Sequence, residues 1–135
     1  MAIAKTFGIE TEYGIVHRGT DDPNPITASS LLINAFLASE GYKPDARSDV
    51  IAWDFIDETP GADARGFSPL GALPPEVETH LVNAVLRNGA RYYVDHAHPE
   101  MSTPEVADPR SAVLYDRAGE FIIQRSMAAA AELLP

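Results

Sequence analysis

Two stretches of this sequence carry oxygen-bearing side chains at the spacing that a β-strand turns to one side. In Thr6-Phe7-Gly8-Ile9-Glu10-Thr11-Glu12-Tyr13-Gly14-Ile15-Val16 the residues alternate with period two. Glu10 and Glu12 therefore share one face, and Ile9, Thr11, Tyr13 and Ile15 the other. Their backbones lie roughly 6 to 7 Å apart, a separation that suits oxygen ligands for one or two hard cations. Magnesium in particular takes few carboxylates and fills its other positions with water and phosphate oxygens. Further along, Ala90-Arg91-Tyr92-Tyr93-Val94-Asp95 has the content of a strand, with Arg91, Tyr93 and Asp95 on one face. His98-Pro99-Glu100 and Thr103-Pro104-Glu105 follow at once, on a segment stiffened by two prolines. A stiffly held carboxylate loses little entropy when it binds a metal or substrate.

Asp95 has the chemistry of a nucleophile on a carbonyl, or of a general base for water, when it stands beside metal-bound phosphate. The same residues also suit plainer roles. Glu10 and Glu12 would serve on a solvent-facing edge, Asp95 as a cap on the turn after its strand, and the histidines as hydrogen-bonding loop residues. His96 and His98 stand two apart, but no cysteine accompanies them and the neighbouring donors are hard oxygens. That speaks against zinc.

The elements that must position these residues read as follows. Thr6–Val16 is expected to be a strand. Asp21-Asp22-Pro23-Asn24-Pro25 is a loop by composition, after which Thr27 can cap a helix to about Ser39, with Leu31, Leu32, Ala35 and Phe36 as its apolar stripe. Gly41 ends it. Residues 41–74 read as an inserted acidic loop, with Pro60, Gly61, Gly66, Pro69 and Gly71 among six acidic side chains. Pro75 suits the first position of a second helix with Val77, Leu81, Val82 and Val85 buried, stopped by Asn88-Gly89. After the strand at 90–95 a turn-rich segment runs to Glu105. Asp108-Pro109 then opens a long helix whose apolar positions include Val113, Leu114, Phe121, Ile122 and Met127. The order β-α-loop-α-β-α predicts a mixed α+β domain.

Composition limits the partners. Ten basic residues against twenty acidic give a formal net charge of −10, which repels nucleic acid and anionic lipid. A polyphosphate ligand would need bound cations or placed arginines. With no cysteine, no apolar run of membrane-spanning length and no signal-peptide pattern at the N-terminus, the expectation is a cytoplasmic protein. Ser126–Leu134 keeps a helix-favouring pattern almost to Pro135 with no stop signal, so the chain is expected to belong to a larger fold.

Phe7-Gly8-Ile9-Glu10-Thr11-Glu12-Tyr13-Gly14, together with Asn88 through Glu105 (NGARYYVDHAHPEMSTPE), closely resembles the family of enzymes that attach and remove the prokaryotic ubiquitin-like protein Pup. Two long motifs in the right order are far more specific than one short pattern. The resemblance implies a carboxylate-amine ligase fold related to glutamine synthetase, in which a curved antiparallel sheet packed on helices cradles ATP (or ADP) and Mg2+. It implies that Glu10, Tyr93 and Glu100 lie at the magnesium site with Glu12 close behind, that Arg91 and Thr103 contact the nucleotide, and that Asp95 is the catalytic carboxylate. Within the family the chain is more similar to the Pup deamidase/depupylase branch than to the Pup ligases. The spacing Asp95-His96-Ala97-His98-Pro99-Glu100 is compact where ligases usually have one more residue, and the acidic insertion at 41–74 resembles a loop that the ligases lack. Met101 departs from the aromatic residue frequent there.

The activity so implied is hydrolysis of the isopeptide bond between the C-terminal glutamate side chain of Pup and a substrate lysine, with deamidation of a C-terminal glutamine of Pup. The partners are Pup, pupylated proteins and the remaining part of the same enzyme, since residues 1–135 would form only the N-terminal part of the large catalytic domain. On this expectation the chain alone is inactive. The rival readings are an ATP-dependent Pup ligase and a non-catalytic fragment that binds Pup or nucleotide.

Overall fold

The computed structural model describes residues 4–19, 24–42 and 82–133. The acidic insertion at 41–74 falls outside the described residues except for Gly41 and Tyr42, as does the start of the helix expected from Pro75. The elements are β1 (Glu10–Glu12), α1 (Pro25–Ser39), β2 (Asn83–Val85), β3 (Arg91–Asp95), β4 (His98–Ser102) and α2 (Pro109–Leu133). The four strands form one antiparallel sheet in the order β1-β4-β3-β2, and the two helices pack on each other and on the sheet. This is the α+β class expected. Among the described residues no helix is long and apolar enough to cross a membrane.

Several local expectations are corrected. Residues 83–85 are a strand, and Asn88-Gly89 turns a hairpin into β3 instead of ending a helix. Gly89 has φ of 83°, Leu86 N–H donates to Ala90 O, and Asn88 Oδ1 accepts from Ala90 N–H. The valine and leucine spacing at 81–86 fits either period over so short a run, and pairing with β3 decides it. The segment after Asp95 is likewise β4 and not an irregular loop. Pro99 disguises it, because proline is rare inside a central strand. Here Pro99 O accepts from Tyr13 N–H at 3.0 Å, while the ring nitrogen has no proton to return. The β1–β4 ladder ends there, so β1 is three residues long where the alternation predicts eleven.

β3 and β4 are joined by the two-residue turn His96-Ala97, and both residues have positive φ, 44° and 65°. That is the backbone of a type I′ hairpin, which normally recruits Gly or Asn. Ala97 O accepts from Ser29 Oγ of α1 at 2.9 Å, and Asp95 Oδ1 accepts from His96 N–H at 2.8 Å. These contacts hold the turn against a left-handed penalty of about 1–2 kcal/mol per residue. His96→Gly is therefore expected to stabilise the chain by about 1 kcal/mol in urea denaturation; a loss of stability would show that the His96 side chain is worth more than the strain.

The first helix begins earlier than expected. Asn24 caps it, its Oδ1 accepting from the N–H groups of Ile26 and Thr27 at 3.1 Å, and Pro25 takes the first helical position. Ile26, Leu32, Ile33, Ala35 and Phe36 are buried. Phe36 meets the ring of Tyr92 edge-on at 6.1 Å, and the fully buried Tyr92 hydroxyl donates to Ser126 Oγ at 3.1 Å. α2 buries a narrow side of mostly small residues. Its buried positions are the small residues Ala112, Gly119, Ser126 and Ala130 with Ile123, and a Cβ on Gly119 would stand 3.2 Å from both Met101 Cγ and Tyr13 Oη. Small side chains let α2 lie close against α1, and Gly119 leaves room for Met101 and Tyr13. Of the apolar positions noted in the sequence, Val113, Leu114, Phe121 and Met127 are more than half exposed.

Candidate active site

Sheet alternation sorts the polar residues. Tyr13, Met101, Tyr92 and Val94 pack against the helices. Residues of the other parity share the opposite face, and the register gathers them into rows. Glu10, Ser102 and Arg91 are cross-strand neighbours, as are Glu12, Glu100, Tyr93 and Asn83, and then His98 and Asp95. The structure thus places Glu10, Arg91, Tyr93, Asp95 and Glu100 on one face of one sheet.

A hydrogen-bonded chain runs across that face. Tyr93 Oη donates to Glu100 Oε1 at 2.5 Å, and Ser102 Oγ lies 3.0 Å from Glu10 Oε1 and 3.2 Å from Tyr93 Oη. Burial pushes the Tyr93 hydroxyl well above its ordinary range, and the hydrogen bond to Glu100 adds to the shift. Tyr93 is therefore a neutral donor at physiological pH. The Arg91 guanidinium lies 3.6 Å over the centre of the Tyr93 ring and donates through Nε to Asn83 Oδ1 at 2.8 Å.

Glu100 is the unusual member. It is 4% exposed, and among the described residues its Oε2 has no hydrogen-bond partner. Burial raises its pKa above the ordinary glutamate value, the Tyr93 hydrogen bond opposes this, and the charges of Asp95, Glu10 and Glu12 raise it further. Such a carboxylate is costly for the fold by itself. A cation would supply what it lacks.

The donors fit a hard ion, being carboxylate and hydroxyl oxygens. Among the described residues no three acidic, histidine or cysteine groups gather as a ready-made cage. Two carboxylates beside hydroxyl oxygens are donors that a hard divalent ion could share with water or phosphate oxygens. Glu12 faces the histidines instead, with its oxygens 3.7 Å from His96 Nδ1 and 3.3 Å from His98 Nδ1.

Thr103 is not brought into the cluster. It follows β4 on the other parity, and its Oγ1 accepts from Ile9 N–H at 2.9 Å. Asp95 sits at the strand end, where one oxygen caps the His96 N–H; the capping role and the shared face coexist. Ser102 and Asn83 were not singled out from the sequence. Both would have appeared as members of this face had 98–102 and 83–85 been read as strands.

The family model described as Pup-ligase protein matches residues 5–134. The chain is 46% identical over 134 residues to a depupylase of Acidothermus cellulolyticus, covering 96% of this chain and 26% of that protein. It is 44% identical over 125 residues to a Pup deamidase/depupylase of Mycobacterium tuberculosis, covering 89% and 24%. A Pup–protein ligase of Bifidobacterium adolescentis is 28% identical over 124 residues, with 91% and 18% covered. The chain therefore spans about a quarter of the length of the depupylases it matches.

Proposed function

Because the chain belongs to the Pup-ligase protein family, we propose that it forms the N-terminal part of the catalytic domain of a Pup deamidase/depupylase, a hydrolase of amide bonds at the C-terminal residue of Pup. The observation that carries this reading is the single sheet face shared by Glu10, Arg91, Tyr93, Asp95 and Glu100. Its β-strands would be the start of a curved, glutamine-synthetase-like sheet.

Glu10 and Glu100 would hold Mg2+, and Tyr93, as a neutral phenol, would orient Glu100. Bound ATP or ADP with Mg2+ would supply positive charge and fixed phosphate oxygens beside the reacting carbonyl. Arg91 is steered by Asn83 and lies next to the glutamates, so it is the arginine on this face placed to neutralise phosphate. Thr103 would reach the nucleotide only through the O–H that its contact with Ile9 leaves over. Asp95 supplies the reactive carboxylate, attacking the carbonyl or taking a proton from water, and its place after the hairpin fixes it close to Glu100.

That hairpin also favours hydrolase over ligase. A two-residue type I′ turn sets the Asp95-to-Glu100 spacing, and one more residue would require a different loop and re-aim Asp95. The substrates in this reading are pupylated proteins and Pup ending in glutamine, and the setting is cytoplasmic. The apolar outer side of α2, with Leu114 and Phe121 each 67% exposed, would be covered by the rest of the same enzyme, without which the chain turns over nothing. The test offers a family-length enzyme carrying this segment both Pup ending in glutamine and a Pup-tagged protein, with Mg-ATP. Release of ammonia and of tag-free protein without stoichiometric ADP is expected. ADP formed one-for-one with new Pup linkages would establish the ligase instead.

A further inference from the structure

We propose that Ser102 is a positioning residue of this site: its hydroxyl ties Glu10 to the Tyr93–Glu100 pair and so sets the spacing of the oxygens that receive the cation. The inference rests on the metal reading above and concerns a residue to which neither the sequence motifs nor that reading gives a role.

Ser102 occupies the centre of the face. It lies on β4 between Glu10 of β1 and Arg91 of β3, two residues from Glu100 on the same strand. Of the groups it joins, ionised carboxylates can only accept, so the protons must come from Tyr93 and Ser102. The Tyr93 proton is committed to Glu100 by the 2.5 Å contact. The single Ser102 proton is left for Glu10, the nearer partner at 3.0 Å, with Tyr93 Oη at 3.2 Å as the alternative. Among the described residues Glu10 lies at the edge of the sheet on a strand of three residues, is exposed, and receives no other hydrogen bond to its carboxylate. Without the serine, Glu10 would sample its rotamers freely, and the two carboxylates would not be presented together. Groups that orient metal ligands in this way are worth about 10–100-fold in metal affinity.

The experiment uses a family-length enzyme carrying this segment, with Mn2+ as a paramagnetic probe in the presence of a non-hydrolysable ATP analogue, read from broadening of the backbone amide signals of Glu10, Tyr93 and Glu100. In the unsubstituted enzyme these signals should broaden first as Mn2+ is added. Ser102→Ala should raise the Mn2+ concentration at half-broadening about tenfold, while Ser102→Thr, which keeps the hydroxyl on a β-favouring side chain, should stay within about twofold. Both variants should melt within a few degrees of the parent, because the Ser102 side chain is only partly buried. An unchanged midpoint in Ser102→Ala overturns the role of Ser102 and leaves the metal reading standing. Failure of these three signals to broaden in the unsubstituted enzyme overturns both.

Discussion

Asp95→Asn in a family-length enzyme is expected to slow hydrolysis of both Pup substrates by about 10³-fold, while Mg-ATP affinity changes by no more than about twofold. The substitution separates chemistry from architecture. Asp95 Oδ1 accepts the N–H of His96 and closes the β3–β4 turn, and an amide oxygen can accept the same bond. What disappears is the negative charge and the basicity, which both a nucleophilic and a general-base role require. The measurement is a single-turnover rate paired with nucleotide titration. A variant that retains its rate would reduce Asp95 to the turn cap that its hydrogen bond already describes. A variant that loses rate and nucleotide together would mean that the turn, and not the carboxylate chemistry, had failed.

Glu100→Gln is expected to act in opposite directions on stability and binding. The buried Glu100 carboxylate has one oxygen satisfied by Tyr93 and one without a partner among the described residues, in a field of three further acidic groups. Its pKa is raised in the folded state, so the native chain binds this proton more tightly than the unfolded chain does. The contribution to stability is favourable at low pH and is lost as the pH rises from the ordinary glutamate range through the raised value. Neutralising the side chain removes that loss. The metal-free chain carrying Glu100→Gln should therefore gain about 1 kcal/mol at neutral pH, and its denaturation midpoint should vary less with pH than that of the parent. In the family-length enzyme the same change should weaken Mg-nucleotide binding by about 100-fold, since it removes a hard anionic ligand from a site with few others. Stability that falls at neutral pH, or nucleotide binding that survives, would remove Glu100 from the place assigned to it.

These two predictions draw on what was legible in the sequence and on what was not. Glu10, Arg91, Tyr93, Asp95 and Glu100 were found because strand alternation and a stiff, oxygen-rich motif are local signals, and the register then gathers those residues on one face. The neighbours that hold them are non-local. Ser102 meets Glu10 across 92 positions of chain, and Asn83 meets Arg91 only because 83–85 folds back as a hairpin strand. Reading 82–88 as helix and 96–105 as loop hid both. A short run containing Val82, Ala84, Val85 and Leu86 carries no decisive period, and Pro99 masks a central strand whose missing donor falls where β1 ends.

The long helix was legible at its start, where Asp108 Oδ1 accepts from Ser111 N–H at 2.9 Å ahead of Pro109, but its orientation was not. Size misled there. Val113, Leu114, Phe121 and Met127 of α2 are exposed, and its buried side is Ala112, Gly119, Ser126 and Ala130 with Ile123, because close approach of a helix to its neighbours rewards small residues over large ones. The hydrogen bond from Tyr92 to Ser126 and the tight fit at Gly119 are the particular contacts that select this face.

The most direct test of the central claim, that this sheet face seats a divalent ion and phosphate beside Asp95, is anomalous diffraction from crystals of the family-length enzyme grown with Mn2+ and a non-hydrolysable ATP analogue. The expected result is a manganese peak at about 2.0–2.4 Å from carboxylate oxygens of Glu10 and Glu100, with phosphate density toward Arg91 and Asp95 adjoining. A manganese and phosphate site elsewhere in the enzyme, with Glu10, Tyr93, Asp95 and Glu100 out of reach of both, would contradict it.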